Sequence, residues 1–370
     1  MNKAFEDHLD KVTPGRLEEL NVPGVAFALI ENGAIKAIKT YGFADKAKGS
    51  VVTGDTVFNI ASISKSFTSW GVMKLVEQGK IDLDTPVEEY LSSWMLPESE
   101  FDHSLVTLRR LLSHTAGVST EGVKGIDPGL PEVDVLDVLN GNLPPLDPVQ
   151  LAYVKQWQPE VDPGRQRDPA SITHNPGESH QYSNLGLAIV ELLIEEVSGL
   201  GFAEFMREQV LDPLGMTVSG FEGSPPNPEN YACPHNDLGE ALTNYRLVAK
   251  AASSMRCTIG ELATFACAEL SGPKGEPLGR NVITPKSLQT LFSKVIFAET
   301  IRGVDFDAAL GHMLIKINGA NAVHHTGGVP GWRSIYLVIP EAGVGYVALI
   351  NSDGGNPLWI QTMQEWAGSL

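Results

Sequence analysis

Strand-like runs stand at both ends of this chain, and mostly helical patterns lie between them. Near the N-terminus, Val25 to Ile30 and Ala34 to Lys39 flank Asn32-Gly33, which is a strong β-hairpin signal. The C-terminal third contains further runs of this kind at 323–327, 334–339 and 344–350. Two sets of strands around a helical middle predict one antiparallel sheet built from both chain termini.

Helical periodicity dominates the middle of the chain. Apolar residues recur at helical spacing from Ser64 to Gln78 and from Asn184 to Val197, and a glycine follows each run closely. Further helices are predicted at 3–20, 204–215, 259–270 and 357–368. We therefore predict an α/β fold in which helices flank the sheet and a mainly helical domain is inserted. Residues 1–60 and 295–370 would form the sheet domain, and 61–294 the helical domain.

Residues 119–180 differ from the rest of the predicted helical domain. This segment holds nine of the 24 prolines and shows little periodicity. A stretch of this length is too long for an ordinary connection, and such segments are usually functional covers or disordered. We predict an ordered cover over a cleft.

Composition limits the partners that this chain can have. Hydrophobic residues make up 42%, which is enough for a packed core. The net charge of −18 should repel nucleic acid and anionic lipid, so neither is expected as a partner. The N-terminus lacks the apolar run of a signal peptide, and no apolar stretch is long enough to span a bilayer. A cytoplasmic location is the default expectation, although a removed leader would look the same; the oligomeric state is left open.

The metal-ligating residue types show no metal-binding pattern. The three cysteines form no Cys-x-x-Cys pair, and the nine histidines include no His-Glu-x-x-His motif. His324 and His325 are neighbours and would point to opposite faces of a strand. We expect no metal site.

The first chemical motif is Ser62-Ile63-Ser64-Lys65, which we expect at the N-terminal turn of a helix. Positions i and i+3 share a helix face, so Lys65 can reach the Ser62 hydroxyl and take its proton if desolvation keeps the amine partly neutral. The same spacing occurs in Ser271-Gly272-Pro273-Lys274, whose Gly-Pro core predicts a surface loop. Taken alone, Ser62 is also explained as a helix cap with an exposed lysine one turn on.

The second motif is Tyr182-Ser183-Asn184, directly before an apolar helix. Tyr182 can relay a proton if neighbouring cations lower its pKa, and Asn184 can orient Lys65 or donate to a substrate carbonyl. The structural alternative is a tyrosine packed on the core followed by an asparagine cap.

The third motif is His325-Thr326-Gly327-Gly328, in which the two glycines are expected to follow a short strand. Glycines permit close approach of the backbone to a ligand, so the N–H groups of Ser62 and Gly328 can form an oxyanion hole. His325 can bind Tyr182 or the substrate. The alternative is a glycine-rich strand end that leads into a turn.

Together the three motifs resemble the serine β-lactamase and penicillin-binding-protein superfamily, in particular the class C β-lactamase branch with its esterases, D-aminopeptidases and related peptidases. Supporting stretches that match are Phe58-Asn59-Ile60-Ala61, Leu111-Leu112-Ser113-His114-Thr115-Ala116-Gly117 and Pro176-Gly177-Glu178. The resemblance implies that Ser62 is the acylated nucleophile, Lys65 its proton acceptor and Tyr182 the partner base. It also implies that Asn184 helps to bind substrate, that His114 belongs to a structural motif, and that no cofactor is needed.

One departure from the family pattern bears on the substrate. His325 stands where β-lactamases and D,D-peptidases have a lysine that binds the substrate carboxylate, and histidine is mostly neutral near pH 7. We therefore expect a serine hydrolase of carboxylic esters or small amides and peptides, including those with D-residues. The alternatives are a β-lactamase or D-Ala-D-Ala carboxypeptidase, an acyltransferase, and a non-catalytic penicillin-binding or sensing protein.

Overall fold

The computed structural model describes residues 3–120, 125–155, 168–222 and 230–370. Its strands are β1 (Gly24–Glu31), β2 (Ala34–Asp45), β3 (Ser50–Val51), β4 (Val57–Asn59), β5 (Arg256–Thr258), β6 (Ile296–Ile301), β7 (Val304–Ala308), β8 (Met313–Ile317), β9 (Ala320–Val329), β10 (Trp332–Ile339) and β11 (Val344–Ile350). Nine of them form an antiparallel sheet in the order β3-β2-β1-β11-β10-β9-β8-β7-β6, while β4 pairs with β5 separately.

The helices lie at both chain ends and through the middle, as the periodicity predicted. They are α1 (Lys3–Glu19), α2 (Ser64–Glu77), α3 (Leu108–Leu112), α4 (Val135–Leu139), α5 (Pro148–Lys155), α6 (Asn184–Ser198), α7 (Phe202–Met206), α8 (Lys250–Ser253), α9 (Ile259–Ala268), α10 (Pro285–Leu291) and α11 (Asn356–Gly368). A π-helical turn at Arg207–Leu211 continues α7, and a short 3-10 helix at Ala61–Ile63, here called the serine turn, leads into α2. Among the helices described, none combines the length and the apolar character needed to cross a bilayer.

Strands from the two chain ends are neighbours at the centre of the sheet, which confirms the predicted fold class. β1 pairs antiparallel with β11, with Val25 opposite Ile350. The β1–β2 connection is the expected two-residue turn, in which Asn32 and Gly33 both have positive φ, 52° and 68°. A side chain at Gly33 would also collide with the Ser271 carbonyl, because its Cβ would lie 1.9 Å from that oxygen.

The C-terminal part of the sheet differs in two respects from the sequence expectation. Strands β6 to β8 extend the sheet beyond the three strand-like runs, within the range assigned to the sheet domain. β9 is also longer than the predicted run at 323–327: it continues to Val329, so Gly328 lies inside the strand as well as Gly327, and the two glycines pair with Arg333 and Ser334 of β10. Pairing with β10 keeps the glycines extended, although glycine alone has little preference for a strand.

Both faces of the sheet are covered at its centre. Along β1, Ala26, Ala28 and Ile30 belong to one apolar cluster, which the helices of the middle region share, and the alternate residues belong to a second cluster with α1 and α11. This explains why β1 reads as a continuous apolar run. Helix α9 also packs on the sheet, and the proposed boundary between a sheet domain and a helical domain stays a prediction.

The segment predicted as a cover is only partly described, because residues 121–124 and 156–167 lie outside the described ranges. The described parts contain α4 and α5, and they contribute buried side chains to the larger core cluster, including Ile126, Val138 and Ile172. They are therefore ordered parts of the core; a role in covering a cleft stays a prediction.

Candidate active site

Ser62 is presented by a tightly constrained turn. In the run 56–73 every residue is buried except Ser62, which is partly exposed. Ala61 adopts a left-handed conformation with φ of 47°, which is costly for a residue with a side chain. The Ala61 N–H donates to Asn59 Oδ1 at 2.7 Å and helps to hold this conformation. The hydroxyl of Ser62 thus emerges from an otherwise buried segment at a fixed position.

Lys65 is fully buried on the first turn of α2 and contacts three oxygen atoms. Its Nζ lies 2.8 Å from Asn184 Oδ1, 2.7 Å from the Ala252 carbonyl oxygen and 3.1 Å from Ser62 Oγ. The first two oxygens can only accept hydrogen bonds. In a neutral amine they would take both N–H groups, which leaves the lone pair of Nζ directed at the Ser62 hydroxyl.

Tyr182 lies beside this lysine at the start of α6. Its ring centroid is 4.8 Å from Lys65 Nζ and 4.2 Å from the ring centroid of His114, and 38% of the residue is exposed. The cap of α6 is Ser183, whose hydroxyl accepts from the Gly186 N–H at 3.0 Å. The expected alternative of an asparagine cap is therefore wrong, and the Asn184 amide is free to contact Lys65.

His114 is more closely tied to the site than the sequence indicated. Its Nδ1 accepts the Ser183 N–H at 3.2 Å, so the ring supports the backbone next to Tyr182 as well as the tyrosine ring. Burial first, and then the charge that Lys65 carries when it is protonated, hold the pKa of His114 well below its usual value. The imidazole is consequently neutral near pH 7. The only sequence signal for this residue was the family stretch that contains it.

β9 and β10 dock directly on the serine turn. A Cβ at Gly327 would lie 2.2 Å from the Ile60 carbonyl oxygen, and Ser334 Oγ donates to that same oxygen at 2.8 Å. Pairing between β8 and β9 ends at His324, so the edge of 325–329 is not covered by β8. Because backbone N–H groups alternate in direction along a strand, some in this stretch point away from β10. Thr326 is exposed and Gly328 half-buried at this edge.

His325 lies on the inner side of this strand and is only 5% exposed. Its Nδ1 donates to the Thr326 carbonyl oxygen at 2.7 Å. Burial first, and then Lys65, hold the pKa of His325 well below its usual value. His325 is therefore neutral near pH 7 and supplies no fixed positive charge, as the sequence indicated.

The second Ser-x-x-Lys match is a surface loop, as predicted. Ser271 and Lys274 are both exposed, and the Lys274 N–H donates to Glu276 Oε2 at 2.8 Å. Among the residues that the structure describes, no three His, Cys, Asp or Glu side chains are grouped to hold a metal ion.

Sequence reasoning missed two contributors near Lys65. The Ala252 carbonyl is a backbone group, so no residue type marks it. Glu191 is fully buried in α6 and accepts the Ala251 N–H at 3.0 Å. A lone acidic residue in an apolar stretch of helix was the signal that could have identified it.

An antiparallel sheet built from both chain ends, with a Ser-x-x-Lys turn docked on an inner strand, defines the fold class of serine β-lactamases and penicillin-binding proteins. The family model described as Beta-lactamase matches residues 9–363, and this chain belongs to that family.

Curated relatives carry different functional names. The chain is 28% identical to esterase EstB of Burkholderia gladioli over 62% of its own length and 54% of the esterase. It is 23% identical to protein flp of Staphylococcus aureus (strain COL), over 64% of its length and 41% of that protein. It thus spans about half or less of these two relatives. A β-lactamase of Yersinia enterocolitica is 25% identical over 93% of this chain and 86% of the relative.

Solved structures share the fold at low sequence identity. The octameric penicillin-binding protein homologue from Pyrococcus abyssi superposes with a TM-score of 0.74 at 23% identity, over 96% of this chain and 75% of that one. The penicillin-binding protein from Bacillus halodurans gives a TM-score of 0.71 at 22% identity, over 97% and 99% of the two chains.

Proposed function

We propose that this protein is a serine hydrolase that acts through an acyl-enzyme on carboxylic esters or small amides and peptides, including those with D-residues. The observation that carries the proposal is the arrangement around Lys65 Nζ. Two carbonyl oxygens occupy its N–H groups while Ser62 Oγ lies 3.1 Å away. This arrangement suits a neutral amine that accepts a proton from the serine.

In the first half-reaction Ser62 Oγ attacks the substrate carbonyl carbon and its proton passes to Lys65. The oxygen of the tetrahedral intermediate accepts hydrogen bonds from the backbone N–H groups of Ser62 and Gly328. When the intermediate collapses, the bond to the leaving group breaks and that group receives a proton by way of Tyr182. Water then attacks the acyl-enzyme, gives up its proton to the same bases and releases the acid and free Ser62.

The neutrality of His325 supports the choice of substrate class. The lysine that family members use for a substrate carboxylate is absent, and burial disfavours a charge on the histidine that replaces it. A neutral imidazole favours substrates without an obligatory carboxylate at this position. Esters and small amides meet this condition, and the similarity to an esterase agrees with it.

A β-lactamase is the second candidate, because the match to the Yersinia β-lactamase covers most of both chains. The two candidates share Ser62, Lys65 and Tyr182 and differ in the need for a cation that binds the substrate carboxylate. A comparison of substrates therefore separates them, whereas active-site labelling does not.

The decisive experiment compares kcat/KM for p-nitrophenyl butyrate, D-alanine p-nitroanilide and nitrocefin. We expect one of the first two to be hydrolysed fastest, and a fluorophosphonate probe to label wild type but not Ser62→Ala. Nitrocefin as the best substrate would favour the second candidate. Absence of Ser62 labelling together with absence of turnover on all three substrates would reject the hydrolase proposal.

A further inference from the structure

Glu191 is a buried acidic residue that the proposed chemistry does not use. It lies on α6, seven residues after Asn184, and is fully buried. Its Oε2 accepts the Ala251 N–H at 3.0 Å, while Oε1 lies 3.9 Å from Lys250 Nζ. An isolated carboxyl is costly to bury, so its position calls for a structural reason.

The two carbonyl acceptors of Lys65 belong to different elements. Asn184 Oδ1 is carried by the first residue of α6, whereas the Ala252 oxygen is a backbone group of the four-residue helix α8. Seven residues are about two helical turns, so Asn184 and Glu191 lie on the same face of α6. The Glu191 side chain thus joins α6 to α8 at Ala251. The next residue, Ala252, supplies the carbonyl that contacts Lys65.

α8 is also held from the opposite side. Thr68 of α2, three residues after Lys65, donates from Oγ1 to the Ala251 carbonyl oxygen at 2.8 Å. Ala251 is therefore fixed at its N–H by α6 and at its carbonyl by the lysine-bearing helix. A helix of four residues has little stability of its own, so these side-chain contacts decide where its backbone lies.

We propose that Glu191 is a positioning residue for Lys65: by holding α8 against α6 it sets the spacing of the two oxygens that orient the lysine amine. This inference rests on the proposed function, since it matters only if Lys65 accepts the proton of Ser62. Glu191 touches neither substrate nor the reacting atoms and acts through the Ala251–Ala252 backbone.

The ionisation of Glu191 suggests a conservative replacement. Burial raises the pKa of this carboxyl to about 8, against the opposing effects of Lys250 and the Ala251 N–H. The neutral acid therefore predominates at pH 7 and accepts the N–H through its carbonyl oxygen. Glutamine offers the same acceptor at the same reach, whereas leucine fills similar space without one.

The test compares Glu191→Leu with Glu191→Gln in the full chain, using p-nitrophenyl butyrate from pH 5 to 10. We expect Glu191→Leu to lower kcat by about tenfold or more with KM nearly unchanged, because the amine loses its alignment. The acid limb of the kcat profile should also move to lower pH, because an ammonium that loses an acceptor gives up its proton more readily. Glu191→Gln should restore both properties.

Glu195→Leu is a matched control on the same helix, because Glu195 Oε1 accepts the Phe202 N–H at 2.9 Å at the start of α7. Loss of this hydrogen bond should lower the melting temperature of the protein without moving the acid limb of its kcat profile. If Glu191→Leu does not fold, Glu191→Asp, whose shorter side chain cannot reach Ala251 equally well, should show the same changes to a smaller extent.

The proposal is overturned if folded Glu191→Leu, or in its place Glu191→Asp, keeps the wild-type kcat and acid limb. It is also overturned if Glu191→Leu and Glu191→Gln lose rate equally at every pH. The hydrolase proposal has its own control, since wild-type activity in Ser62→Ala would reject it whatever Glu191 does. Loss of activity in Ser62→Ala together with an unaffected Glu191→Leu would reject only the positioning role.

Discussion

The chain contains two Ser-x-x-Lys segments, and the structure treats them in opposite ways. Ser62 and Lys65 lie at the start of a buried helix, and the lysine amine has contacts from α6 and α8. Ser271 and Lys274 lie in an exposed loop with local hydrogen bonds among residues 272–276. Identical spacing therefore produces a candidate catalytic pair in one place and an ordinary turn in the other.

The difference comes from parts of the chain that are distant in sequence. Asn184 is 119 residues from Lys65, and Ala252 is 187 residues from it. Only the tertiary fold brings these oxygens to the lysine amine, and only burial makes their contacts strong. A short motif thus gains chemical meaning from its surroundings rather than from its spacing.

The largest expected effect separates the two serines. Ser62→Ala should lower kcat for the best substrate by about 10⁴-fold or more, because the acyl-enzyme cannot form. Ser271→Ala should leave kcat within about twofold, as expected of a change at an exposed loop residue. Steady-state kinetics on the two purified variants tests the contrast, and similar rates for both would remove the reason for distinguishing the segments.

The second-largest effect on kcat is expected to separate the two lysines. Lys65→Ala is expected to lower kcat by about 10³-fold, because the nucleophile loses its base. Lys274→Ala serves as the control with the same side-chain replacement and should retain full activity. Circular dichroism should verify that both variants are folded, and an active, folded Lys65→Ala would contradict the assignment of the base.

A smaller expected effect concerns stability at acid pH and involves β9, the strand beside the Ser62–Lys65 segment. His324 is buried, and burial lowers its pKa to about 4; within the described part of the chain neither ring nitrogen has a hydrogen-bond partner. Because the folded-state pKa lies below the unfolded value of about 6.5, the unfolded state takes up the proton first as pH falls. The free energy of unfolding is therefore unaffected by this ring above pH 6.5, where the ring is neutral in both states. It decreases by about 3 kcal/mol as the pH falls from 6.5 towards 4.

Replacing this ring should remove that loss. Urea denaturation of His324→Leu between pH 7 and pH 4 is expected to show a smaller decrease in the free energy of unfolding than wild type. Replacement of the exposed His174 provides the control and should leave the wild-type pH dependence in place. An unchanged dependence in His324→Leu would mean that other groups control acid unfolding of this region.

Local signals in the sequence predicted much of the fold. Strand-like runs and turn residues located β1, β2, β10 and β11, and glycines marked the ends of α2 and α6, since these features depend on neighbouring residues. The signals were weaker for β6 to β8, because many residues of these strands are exposed and polar residues interrupt the apolar pattern. The end of β9 was missed because strand pairing overrode the preference of its glycines.

The candidate site was predictable as a set of side chains but not as a set of contacts. Ser62, Lys65, Tyr182 and Asn184 lie together as the first two motifs suggested. The Ala252 carbonyl carries no residue-specific signal, and the position of Glu191 depends on how α6 and α8 pack. Neither follows from periodicity or from the spacing of a motif.

The pairing of β1 with β11 has a consequence for how this protein is made. Val25 and Ile350, which face each other across the centre of the sheet, are 325 positions apart in the chain. During synthesis β1 leaves the ribosome long before β11 exists, and the middle helices and α11, which help to cover its two apolar faces, are also still to be made. Completion of the sheet must therefore wait until β11 has been made, and until then β2 is the one strand of the described sheet centre that β1 can pair with.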